Sequence, residues 1–155
     1  MNLIKWFLGL FKSKKPKDYP ILTMKWVDLK TNLGNWGLEL MLKDKFVPDA
    51  TISYTYEKVW ATIIPYLTYP ADLYIAELDV DCDDYSKWAS ANSSKDFRLS
   101  GCLQCWGDTP LGFHAFNLVI TGDNTFKLFE SNAGFEFAGK LFNAGDNGYL
   151  PSSWK

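Results

Sequence analysis

The order of periodicities along the chain predicts an α+β domain in which a cysteine-bearing helix packs on an antiparallel sheet. Helical patterns dominate up to Ser94, and alternating apolar strands follow it. The composition makes a packed core feasible. Of 155 residues, 47% are hydrophobic and 17% aromatic, enough for one domain and too apolar for a disordered chain.

Residues 1–12 read as a helix with a broad apolar face of Leu3, Ile4, Phe7, Leu8, Leu10 and Phe11, with Lys5, Gly9 and Lys12 opposite. Twelve residues fall short of the ~20 that span a bilayer, and the flanks of a secretory signal are missing. Lys14, Lys15 and Lys17 follow at once, so residues 1–17 carry a net charge of +5. Such a basic amphipathic arm suits an interfacial position on a membrane surface, or docking on its own domain or on a partner. Residues 18–155 form the single folded domain. They hold eleven basic and eighteen acidic residues, so the body is acidic at net −7 and nothing points to nucleic acid.

Residues 21–29 suit a short strand or an extended arm, and residues 35–46 are ambiguous. Residues 55–64 carry a helical apolar stripe closed by Pro65. A second helix starts at Cys82, with Asp81 as its N-cap, and runs to about Ala91. Strands are expected at Leu99–Trp106, Phe113–Thr121 and Thr125–Glu130, separated by Gly-Asp turns.

Three cysteines are an odd number, so at least one thiol is unpaired, and a reducing compartment is the simpler setting. The expected location is cytoplasmic or membrane-associated. Cys82 is the informative thiol. The free N–H groups and dipole of a helix start stabilise a thiolate, which is the nucleophilic form. Asp79, Asp81, Asp83 and Asp84 oppose this, so a cationic partner is required.

His114, the sole histidine, can be that partner. On its strand Phe116, Leu118 and Ile120 share its parity, while Ala115 and Asn117 lie on the other face. On the next strand Phe126 and Leu128 share parity with Glu130, and Thr125 and Lys127 point outward. Matching the apolar faces requires an even pairing sum and a three-residue loop such as Gly122-Asp123-Asn124. His114 then lies across from Glu130 or Asn132. An acid there would orient the imidazole and favour its charged form, which is Cys–His–acid logic.

Asp81-Cys-Asp-Asp-Tyr85, Gly112-Phe-His-Ala-Phe-Asn117 and Phe129-Glu-Ser-Asn132 resemble, in order, motifs of the transglutaminase-like, papain-like cysteine peptidases. The last is also similar to the papain-like domain of certain fungal agglutinins, where the acid is a glutamate. The resemblance covers roughly residues 72–135. It implies a papain-like fold and a hydrolase that cleaves an amide bond in a protein or peptide, with Cys82 attacking, His114 moving the proton and Glu130 orienting His114. Asn132 is the alternative orienting residue. In some bacterial members acids flanking the cysteine bind calcium, and Asp81 and Asp83 match them; no metal is expected in the chemistry itself.

Three other readings compete. Cys102 and Cys105, with Cys82 and His114, make a Cys₃His set for zinc, but residues three apart on a strand face opposite ways. A cysteine-histidine peptidoglycan hydrolase fits less well after Cys82. The last rival is a papain-like binding or structural module with a vestigial triad.

Overall fold

The computed structural model describes residues 15–41, 50–75, 80–122 and 125–155. The helix expected at residues 1–12, Asp79 and the turn residues Asp123 and Asn124 lie outside the described residues. In chain order the elements are β1 (Leu22–Lys25), α1 (Trp26–Asn35), β2 (Glu39–Leu40), β3 (Thr51–Tyr54) and α2 (Glu57–Ile63). Then come α3 (Cys82–Phe97), β4 (Cys102–Thr109), β5 (Gly112–Gly122), β6 (Thr125–Phe129) and β7 (Leu150–Trp154). Short 3₁₀ turns at Ile64–Tyr66, Ala71–Leu73 and Asp146–Gly148 complete the path. The fold is α+β.

The main sheet runs β2-β7-β4-β5-β6, and β1 pairs separately with β3. It is antiparallel except at its edge, where β2 runs parallel to β7, so the sheet is mixed rather than purely antiparallel.

Both faces of this sheet are covered. Leu103, Cys105, Phe116, Leu118, Ile120 and Leu128 pack against Leu29 and Leu33 of α1. Cys102, Val119 and Phe129 pack on the other face against Trp60, Ala89 and Phe97 of α2 and α3. Ala115 and Asn117 are therefore as buried as Phe116. The face that carries α3 is theirs, not that of His114.

Three elements depart from the sequence reading. The segment after Lys25 turns helical as α1, although its buried stripe is only Leu29 and Leu33, one turn apart, and no side chain caps its start. Helix α3 continues past Ala91 to Phe97. Ser93 lies within it and sends its hydroxyl to Leu99 O at 2.7 Å, and the helix stops at Arg98 in a left-handed conformation. In the β5–β6 hairpin Asn117 faces Phe129 and Ile120 faces Phe126, an even sum as expected. A bulge at Thr121 then sets Gly122 opposite Thr125, in place of a plain three-residue loop.

Two hydrogen bonds clamp α3 to β5 one turn from Cys82. Ser86 donates its hydroxyl to Phe116 O (2.8 Å), and Asn117 donates from Nδ2 to Ser86 O (2.9 Å). At the other end of α3, Lys15 pairs with Asp96 at 2.7 Å and lies over the Phe97 ring. That lysine of the basic arm is thus engaged with the domain, through an exposed pair of small energetic weight. No helix among the described residues is long and apolar enough to cross a membrane.

Candidate active site

Cys82 occupies the first turn of α3. Asp81 caps this helix by accepting the Asp83 N–H at 3.1 Å, and Gln104 of β4 donates from Nε2 to Asp83 O at 3.1 Å. The helix start is thereby held to the sheet, and Cys82 is partly exposed in a cleft of about 780 Å³ that His114 also lines. Cys102 and Cys105 are buried, and their alternation along β4 puts them on opposite faces, in separate clusters. Burial pushes each of those thiols up to about 12. The four residues of the zinc reading form no metal-holding group among the described residues.

His114 is the third residue of β5. Its Nε2 lies 2.8 Å from Glu130 Oε2, which leaves Nδ1 as the nitrogen for Cys82. Burial opposes a charge on the ring. Hydrogen bonding to Cys82 and then to Glu130, with the charges of both, outweighs burial and raises the pKa from 6.5 to about 9.

Glu130 is 1% exposed and fully partnered. Oε1 accepts the Asn132 backbone N–H at 2.8 Å, and Oε2 accepts from His114 and, at 3.3 Å, from the Tyr149 hydroxyl. The Tyr149 phenol is raised, first by burial and then by the Glu130 charge, and stays a donor. Of the two candidates for the second ring nitrogen, Glu130 takes it; Asn132 touches Glu130 through its backbone instead.

The fold is shared with a known structure. A solved structure described as a PSL1a-E64 complex superposes with a TM-score of 0.60 over 86% of this chain and 51% of that one, at 15% identity. The chain therefore spans about half the length of that neighbour, and the likeness concerns the fold alone. No protein-family model matches the sequence, and no curated protein does.

Two site residues escape the sequence pattern. Phe135 stacks on the His114 ring, centroids 4.6 Å apart and planes 29° apart. It fixes the ring plane and offers its face to an imidazolium. Tyr149 approaches from the far end of the chain, and neither parity nor spacing signals it. At the cleft rim Leu111 is 82% and Phe113 68% exposed, with Tyr74 also open to solvent.

The acids around Cys82 form a group of their own. Ligand oxygens of Asp81, Asp83 and Asp84 lie within 4.8 Å of one another. A hydrogen bond with Asp81 pushes Asp83 up to about 6, and the same bond lowers Asp81. Oxygen-only donors of this kind suit a hard ion such as calcium.

Proposed function

We propose that the protein is a papain-like, transglutaminase-like cysteine hydrolase that cleaves an amide bond in a protein or peptide. The observation that carries this is the continuous chain Cys82–His114–Glu130, with the ring raised to about 9 between its two partners. The imidazolium holds the Cys82 sulfur as a thiolate, which attacks the amide carbonyl, and His114 then gives its proton to the leaving amine. Glu130 keeps the ring charged and oriented. Calcium at Asp81, Asp83 and Asp84 would neutralise the acids beside the thiolate. The neighbour's complex with E64 makes that compound a first probe for the cleft.

Brief labelling of the native protein with iodoacetamide at pH 7 tests the reading. Cys82 is expected to react at least about tenfold faster than Cys102 or Cys105, and faster still with calcium present. Equal rates at the three thiols, mapped by mass spectrometry, would discard it.

A pH profile separates chemistry from mere reactivity. Turnover of a peptide amide selected from a fluorogenic library is expected to fall about tenfold per pH unit above pH ~9, because the leaving amine then lacks its proton donor. Alkylation of Cys82 is not expected to fall there. A turnover plateau extending to pH 10 would show that His114 is not the acid.

The exposed Leu111 and Phe113 favour one rival reading, a binding module with an idle triad. It predicts peptide binding without amine release, with affinity lost on Phe113→Ser and kept on Cys82→Ala.

A further inference from the structure

Asn132 has half of its side chain engaged and half idle. It is 5% exposed, yet it lines the same cleft as Cys82 and His114. Its Oδ1 accepts the Gly134 N–H at 2.9 Å, which turns the amide so that Nδ2 is the free end. No protein group among the described residues accepts from Nδ2, and Nδ2 is not among the fully enclosed polar atoms that lack partners. A pair of donors is thus held in a mostly buried residue that lines the cleft.

The support behind this amide is stiff. The neighbouring backbone bonds both ways with Tyr69, Tyr69 N–H to Ser131 O at 2.8 Å and Ala133 N–H to Tyr69 O at 2.9 Å. Tyr69 is fastened to α3 through Asn92, whose Nδ2 donates to its hydroxyl at 2.8 Å. The Asn132 N–H itself sits on Glu130. A Cβ at position 134 would stand 3.1 Å from Oδ1, so glycine there is what lets the amide lie so near the turn. Donors fixed in this way lose little entropy when an acceptor arrives.

We infer that Asn132 contacts the substrate, its Nδ2 donating to the carbonyl oxygen of the peptide amide that Cys82 attacks. This rests on the thiol-hydrolase reading. In the addition step the Cys82 sulfur forms a bond to the carbonyl carbon, and the C=O π pair moves onto oxygen. The resulting oxyanion keeps the Nδ2 hydrogen bond, and no proton moves. The C–N bond breaks in the next step, when the amine takes the His114 proton.

The test uses the full chain and a dipeptide aldehyde, N-acetyl-phenylalanyl-glycinal, which adds reversibly to a thiolate and places an oxyanion at the same point. Asn132→Ala and Asn132→Asp are each expected to weaken aldehyde capture about tenfold or more. Alkylation of Cys82 in Asn132→Ala by iodoacetamide, which needs no oxyanion donor, is expected to stay within about twofold of wild type. Asn132→Asp keeps Oδ1 for Gly134 and so preserves the turn if alanine does not. Unchanged capture by a folded variant overturns the inference. So does a parallel loss of alkylation, which would make Asn132 a support of the Cys82–His114 pair rather than a substrate contact. Failure of the wild type to capture the aldehyde while Cys82 still alkylates overturns the addition step itself, and Asn132's part with it.

Discussion

Glu130→Gln lowers the His114 pKa by about 1–3 units and destabilises the fold by about 1–3 kcal/mol. The carboxylate of Glu130 receives three donors on two oxygens. A glutamine presents one oxygen and one NH₂, so at least one of the Asn132 N–H, His114 Nε2–H and Tyr149 O–H loses its acceptor in a site that water does not reach. The loss of charge acts separately, through the ring. A histidine whose pKa is raised on folding adds stability that is complete below its ordinary value of 6.5 and disappears as the pH climbs through about 9. The deficit of Glu130→Gln in urea titrations is therefore largest near pH ~6 and narrows by pH ~9.5. Titration of the ring by NMR reads the pKa directly, and slower alkylation of Cys82 near pH ~7.5 reads its consequence. A deficit constant across that range, with an unmoved ring pKa, would show that Glu130 only fills space.

Gly107→Ala destabilises the domain by about 3 kcal/mol, at the upper end of ordinary overpacking costs. Gly107 sits at the bulge in the β4–β7 ladder, opposite Pro151 on one side and His114 on the other. A Cβ there would drive into the Leu150 carbonyl and lie 2.8 Å from Pro151 Cα. These are backbone atoms that cannot swing aside as a side chain would. Strand β7 must move, and Tyr149 with its bond to Glu130 lies immediately before it. Thermal melts followed by circular dichroism measure the loss. An unchanged melting temperature would mean that β7 shifts freely at this point, and the account of the bulge would fail.

The β7–Tyr149 linkage marks where sequence reasoning stops. Cys82 behind an N-cap aspartate is a local signal, written within three residues, and it reads correctly because capping depends on immediate neighbours. His114 and Glu130 share a face because strand parity needs only a period of two and an even register. Local patterns misled at two helices. Helix α3 runs on through Ser93, whose hydroxyl meets Leu99 O just past the helix end, and α1 forms although its buried stripe is two leucines wide.

By itself, then, the sequence determined the α+β class, the start of the cysteine helix and the pairing face of histidine and acid. These rest on hydrogen bonds and periodicities a few residues long. Only the tertiary structure decided which face α3 covers, that Glu130 rather than Asn132 meets the imidazole, and that Phe135 and Tyr149 complete its surroundings. Asn132 and Glu130 have the same parity and stand two residues apart, so periodicity treats them alike. What separates them is the turn at residues 132–135, which fastens the Asn132 amide to Gly134 and leaves the longer glutamate side chain to reach the ring.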